Sequence, residues 1–233
     1  MKIDNLPNAL RQEGGLSRRL FLAYAASLSS IPLLSRYASA APAHVLTSDP
    51  FTFGVASGDP DHESVILWTR LAPKPLEPGG GMPKTPVEVH WEIAEDNSFK
   101  KIVQSGKVNA TPELGHSVHI EPRNLKPDHW YSYRFKSGDA ISPVGRTRTL
   151  PAPDASPDKL RFAVTSCQNF EQGLFTAYQQ MAADRPDFVF HLGDYIYEYA
   201  GINGKVRTHQ GPEIESLDQY RIRYAQYKGD KDL

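Results

Sequence analysis

A chain of 233 residues has room for one or two domains with a genuine apolar core. Its 39% hydrophobic and 23% charged residues exclude a disordered chain, and a formal net charge of −1 leaves no whole-protein field to attract nucleic acid or an anionic membrane. The single cysteine, Cys167, excludes an internal disulfide. Many exported proteins use disulfides, so a lone cysteine asks for its own explanation.

The amino terminus reads as an address. Arg18 and Arg19 precede an uncharged stretch over 20–34, followed by Ala38-Ser39-Ala40. A basic region, a short apolar region and a small-x-small site make a secretory signal peptide. The apolar stretch is shorter than the ~20 residues that span a bilayer, and Pro32 interrupts it, which argues against a permanent membrane anchor. The order Ser17-Arg18-Arg19, then Phe21-Leu22, resembles the twin-arginine signal. That resemblance implies that export machinery reads Arg18 and Arg19 and carries an already folded protein to the periplasm or beyond. A mitochondrial presequence or a chance amphipathic helix is the competing reading. Residues 1–40 are thus expected to be a signal peptide and 41–50 a linker.

Between 51 and 150, strand-like runs recur at 51–56, 64–70, 87–94, 101–108, 116–120 and 130–136. In Val87-Glu88-Val89-His90-Trp91-Glu92-Ile93 the odd positions are apolar and the even ones polar, the alternation of a half-buried strand. Tyr131, Tyr133 and Phe135 share one face, opposite Ser132, Arg134 and Lys136. Gly58-Asp59-Pro60, Pro78-Gly79-Gly80-Gly81 and Lys126-Pro127-Asp128 supply turns. The spacing predicts an antiparallel β-sandwich. Leu125-Lys126-Pro127-Asp128 leading into Tyr131 and Tyr133 resembles the turn and aromatic strand of fibronectin type III modules.

Three prolines over 151–158 mark an interdomain linker. From 159 the pattern changes to a short apolar run over 160–165, helical spacing over 170–183 and a second apolar run over 188–192. Leu174, Tyr178 and Met181 fall at i, i+4 and i+7. Strand, helix, strand predicts a βαβ unit whose strands lie parallel and buried. A further helix is expected over 216–227, with Leu217, Tyr220 and Tyr224 on one face.

Open parallel sheets bind ligands beyond the carboxyl ends of their strands. The first run ends in Ser166-Cys167-Gln168-Asn169 and the second in Gly193-Asp194-Tyr195-Ile196-Tyr197-Glu198. A carboxylate directly after a buried strand and a glycine is well placed to hold a metal. A thiolate and a phenolate beside it suit ferric iron better than Mg²⁺, which prefers carboxylates and water. Each residue also has a plainer role. A lone cysteine is commonly a small hydrophobe, Gly-Asp is a common turn, and Tyr195, Tyr197 and Tyr199 serve equally as packing aromatics. His191 is assigned to core packing, and Asp184 and Asp187 to a solvated loop. No Ser-His-Asp order, Walker loop or His-Glu-x-x-His occurs.

Four separated motifs tip the balance. Gly54-Val55-Ala56-Ser57-Gly58-Asp59-Pro60, Val65-Ile66-Leu67-Trp68-Thr69-Arg70, Ser166-Cys167-Gln168 and Leu192-Gly193-Asp194-Tyr195-Ile196-Tyr197-Glu198 together resemble the alkaline phosphatase D (PhoD) family, in its order. The resemblance runs from about Phe51 to the end of the chain. It implies a mixed fold: a fibronectin type III-like β-sandwich over 51–150, then the start of an α/β metallophosphatase domain over 159–233. It also implies hydrolysis of phosphoester substrates. By the same resemblance Cys167, Asp194 and Tyr197 would ligate Fe³⁺, with Asp194 bridging to Ca²⁺ as the central catalytic residue. A tyrosine three residues after the aspartate is similar to the iron site of purple acid phosphatases. Such a cluster holds the phosphate and brings a bound water's pKa towards neutrality, generating the attacking hydroxide.

The family's remaining ligands lie further along, in an Asp-Asp-His-Glu type segment and later Asp and His residues. After Glu198 this sequence has His209 as its one histidine and no Asp-His pair. The expectation is therefore an amino-terminal portion with an incomplete site, inactive by itself. Phosphodiesterase or phospholipase D activity falls under the same resemblance. From a different class, an exported β-sandwich binding module without catalysis competes with it.

Overall fold

The computed structural model describes residues 48–233, which lie within one compact unit, His44–Leu233. The expected signal peptide, with Arg18 and Arg19, and most of the 41–50 linker fall outside the described residues.

Eight strands build the first part: β1 (Val55–Gly58), β2 (Ile66–Arg70), β3 (Val87–Ala94), β4 (Ile102–Ala110), β5 (Ser117–Ile120), β6 (Trp130–Ser137), β7 (Ala140–Ile141) and β8 (Gly145–Arg148). They form an antiparallel sheet β1-β2-β5 and a second sheet β4-β3-β6-β7, with β8 also paired to β6. Apolar residues of both sheets meet in one core that includes Leu67, Val89, Ile93, Val118, Tyr131, Tyr133 and Phe135. This is a sandwich, and the alternation within β3 and β6 is what sorts its faces. On the outer face of the β3–β6 pair, Glu92 accepts from Arg134 Nε at 2.7 Å and from Lys136 Nζ at 2.6 Å.

The turn before β6 is closed by the strand itself. Lys126 N donates to the Tyr131 hydroxyl at 2.9 Å, and Asp128 takes a left-handed φ of 51° in that turn. A tyrosine hydroxyl reaching back to upstream backbone in this way pins a sandwich corner.

Two differences from the sequence expectation have local causes. The first strand begins at Val55 rather than 51, because Gly54, at φ 64°, closes a turn whose N–H donates to the Phe51 carbonyl at 2.8 Å. The strands β7 and β8 have no apolar alternation to reveal them; Gly145-Arg146-Thr147-Arg148 is held by its pairing with β6. Gly145 is required there, because the Tyr133 ring occupies the place of a Cβ.

Beyond residue 158, β9 (Phe162–Thr165) and β10 (Phe188–His191) pair in parallel, joined through the helix α1 (Thr176–Asp184). The helix is shorter than expected. Phe170–Gln172 is a separate 3₁₀ turn, capped by the Asn169 side chain, which accepts from Glu171 N at 2.9 Å. Leu174 therefore lies ahead of α1 and is 62% exposed, and the expected helix face is no more than half-buried, at Tyr178 and Met181. The expectation that both strands are buried also fails. Phe162, Val164 and Phe190 are more than half exposed, because their shared face has no layer packed on it among the described residues. Asp187, expected in a solvated loop, instead accepts from Arg161 N at 2.8 Å and pairs with Arg148.

The last helix, α2 (Leu217–Lys228), starts at a capping box in which the Ser216 and Gln219 side chains cap each other's backbone. Leu217 and Tyr220 are exposed, correcting the expected face; the buried positions are Arg223, Ala225 and Tyr227. Ala225 packs with Phe53 and Ala72 of the sandwich, and Tyr224 meets Phe53 and Trp68 edge-on. Arg221 donates to the Glu113 carbonyl at 2.6 Å. Among the described residues no helix is long and apolar enough to cross a membrane.

These contacts rank two substitutions. Phe135→Ala, at a position 0% exposed, should lower stability by about 3–5 kcal/mol. Tyr131→Phe, which loses one hydrogen bond, should lower it by about 1 kcal/mol. Urea midpoints of the two variants check the order.

Candidate functional site

Parallel pairing continues past the ends of β9 and β10. Leu192 N donates to Thr165 O at 2.8 Å, Cys167 N to Gly193 O at 3.1 Å and Gln168 N to Asp194 O at 3.2 Å. These bonds draw together two segments 27 residues apart. At the same level both chains leave extended geometry, with Cys167 at φ 54° and Asp194 at φ 53°. Left-handed backbone at a non-glycine residue costs roughly 1–3 kcal/mol and concentrates at functional sites. Asp tolerates it better than Cys does, because its short polar chain bonds locally.

The result is a convergence of three side chains. Cys167 Sγ donates to Asp194 Oδ2 at 3.5 Å, and the Tyr197 hydroxyl donates to the same oxygen at 3.0 Å. Cys167 and Asp194 are exposed, and Tyr197 is half-buried. Burial, then the hydrogen bond to Asp194, then that to Cys167, push the Tyr197 phenol well above its usual pKa, so it holds its proton. An exposed thiol, an exposed carboxylate and a half-buried phenol, gathered at one oxygen, form a donor set of mixed softness. Among the described residues no three of His, Cys, Asp and Glu come together as a metal cluster. Cys167 and Asp194 supply two such groups, and the phenol of Tyr197 stands beside them as a third group able to hold a metal.

Behind this trio sits a buried clamp. Gln168 is 6% exposed; its Nε2 donates to the Tyr195 carbonyl at 2.9 Å, and its Oε1 accepts from the Tyr178 hydroxyl. Tyr178, on α1, in turn lies 2.8 Å from Thr165 Oγ1 on β9. Helix, first strand end and second strand end are thereby tied through one amide. Tyr195 stacks on Tyr224 of α2 at 5.7 Å. His191, expected in the core, is only half-buried: its Nδ1 accepts from Gly193 N at 3.2 Å, its ring tilts against Tyr195, and its Nε2 is buried without a partner.

The sequence expectation named Cys167, Asp194 and Tyr197, and the fold brings these three together. It missed the supporting residues Gln168, Tyr178 and Arg223. For Arg223 a signal was available: a charged residue set between Tyr220, Tyr224 and Tyr227 on the aromatic face of a helix.

A β-sandwich feeding a parallel βαβ unit, with donors at the strand ends, has counterparts of known class. The model of the PhoD-like phosphatase N-terminal domain matches residues 37–151, and that of the PhoD-like phosphatase itself matches 162–233. Alkaline phosphatase D of Bacillus subtilis (strain 168) is 49% identical over 242 residues, covering 99% of this chain and 41% of the relative. A solved structure of PhoD superposes with a TM-score of 0.77 at 55% identity, covering 80% of this chain and 37% of that one. The chain belongs to the PhoD-like phosphatase family, a family of enzymes. It spans less than half the length of the relatives it matches.

The backbone at Cys167 yields a test independent of any metal. Cys167→Gly relieves the left-handed strain and removes only a weak, exposed thiol contact, so stability should rise by about 1 kcal/mol. A shift of the urea midpoint to higher concentration is the expected outcome.

Proposed function

We propose that this chain carries part of the metal-dependent active site of a phosphoric ester hydrolase of the alkaline phosphatase type. The observation that carries the reading is the meeting of Cys167, Asp194 and Tyr197 at one carboxylate oxygen beyond the ends of two parallel strands. These residues fit ferric iron: thiolate, carboxylate and phenolate are anionic donors once deprotonated, and together they offset a trivalent charge. Asp194, with a second carboxylate oxygen to spare, suits a bridge to calcium. When bound, such metals supply Lewis acidity towards a phosphoryl oxygen and lower the pKa of water.

The chain's own residues prepare the site. Asp194 Oδ2 accepts the thiol proton of Cys167 and the phenol proton of Tyr197, the two protons that ligation displaces. Gln168 fixes the two strand ends against each other. The residues over 51–150 form a platform domain in this reading, joined through 151–158 to a catalytic domain beginning at 159. Among the described residues three donors meet, fewer than a two-metal cluster needs, so this chain assayed by itself should hydrolyse phosphoesters far more slowly than a relative with a complete cluster. Export on the strength of Arg18 and Arg19 belongs to the same proposal, and it accords with a protein loaded with metal before it crosses a membrane.

The test is iron content after loading with Fe³⁺ and Ca²⁺. Cys167→Ser and Tyr197→Phe should each lower iron affinity by at least ~10-fold. Undiminished iron in Cys167→Ser removes that residue from the site. Parallel assays of a phosphomonoester and a phosphodiester should show slow turnover that Asp194→Asn abolishes.

A further inference from the structure

We infer that Arg223, on α2, is a positioning residue for Tyr197. The inference rests on the reading of Tyr197 as a metal ligand and adds what holds that phenol in place. Arg223 is the largest of the fully buried side chains, 1% exposed. A buried guanidinium is normally matched by a carboxylate. Here its hydrogen bonds go to main-chain carbonyls: Nη1 donates to Tyr197 O at 2.6 Å and to Tyr199 O at 2.9 Å, and Nη2 to Gln210 O at 3.3 Å. Burial pulls its pKa down, and Tyr227, Glu171 and Glu198 oppose that from their surroundings.

The carbonyls concerned lie in a stretch without helix or strand, where main-chain groups lack ladder partners. A planar fork with five donors can serve several of them from one place; an ammonium on a flexible stem holds no such geometry. The Glu171 carboxylate accepts from Ile202 N and His209 N, both at 2.9 Å. The loop is thus held by a cation on its carbonyls and by an anion on its amides, and the two charges favour each other.

What the clamp fixes is the main chain of Tyr197, and with it the reach of the phenol to Asp194 Oδ2 at 3.0 Å. What fixes the clamp is the sandwich. Ala225, two residues along α2, packs into the cluster with Phe53 and Ala72, and Tyr224 lies against Trp68. A continuous path of packed groups therefore runs from β2 through α2 to the proposed ligand. Residues that orient metal ligands from behind typically change metal affinity ~10–100-fold when altered.

Arg223→Lys keeps the charge and loses the fork; Arg223→Gln keeps amide donors and loses the charge. The two are compared with wild type by amide hydrogen exchange over 196–201 and by titration with Fe³⁺, read through phenolate-to-iron charge-transfer absorption. The expected result is faster exchange over that segment, unchanged protection in β3 and β6, and iron affinity lower by at least ~10-fold in Arg223→Lys. Unchanged exchange overturns the inference. So does faster exchange with undiminished iron affinity, which makes Arg223 a structural residue alone. Should Arg223→Lys lose β3 and β6 protection, Arg223→Gln decides by the same criteria. A wild-type absorption that Tyr197→Phe does not remove overturns the ligand reading itself and this role with it. That failure shows in the control, not in the Arg223 variants.

Discussion

Parallel pairing between β9 and β10 places Phe162 opposite Phe188 and Thr165 opposite His191, and it carries on as backbone hydrogen bonds to Gln168 and Asp194. Cys167 and Asp194 are neighbours only because this register holds. Side chains alternate faces along a strand, so a slip by one residue would send one of the two to the opposite side of the sheet. The left-handed backbone at both positions then turns the thiol and the carboxylate out of the ladder and towards each other.

A two-stranded sheet has little of its own with which to enforce a register. Support comes from outside it. Gln168 ties Tyr178 on α1 to the Tyr195 carbonyl, while α2 joins the loop behind Tyr197 to the sandwich through Arg223 and Ala225. The sandwich core, with Leu67, Ile93 and Phe135 fully buried, is the well-packed part of this arrangement. On the other side of the sheet, Phe162, Val164 and Phe190 stand more than half exposed. Support of the site is therefore one-sided among the described residues, from α1, α2 and the sandwich.

Much of the fold was legible because its periodicities are strong. In β3 and β6 an apolar residue recurs at every second position, and both strands appear where the alternation places them. The strands β7 and β8 were hidden because long-range pairing to β6, not their own composition, makes them strands. The start of β1 was misjudged because one left-handed residue, Gly54, decided it, and the helical spacing over 170–183 hid the extended Gly173 that separates the Phe170–Gln172 turn from α1. At the candidate site, strand ends pointed to Cys167 and Asp194, and the family resemblance added Tyr197; the structure shows these three side chains meeting. Their support was not legible: a buried arginine facing carbonyls leaves no pattern in a sequence except a charge on an aromatic helix face. The exposure of the β9–β10 face was likewise illegible, since burial depends on which layers are present.

The central claim is that Cys167, Asp194 and Tyr197 act as one metal-binding set. Iron X-ray absorption on the Fe³⁺-loaded chain tests it most directly, because Cys167 is the protein's one thiol. The account predicts a single sulfur in the iron coordination sphere, replaced by a lighter atom in Cys167→Ser. A sphere of oxygen and nitrogen alone in the unmodified chain would contradict it.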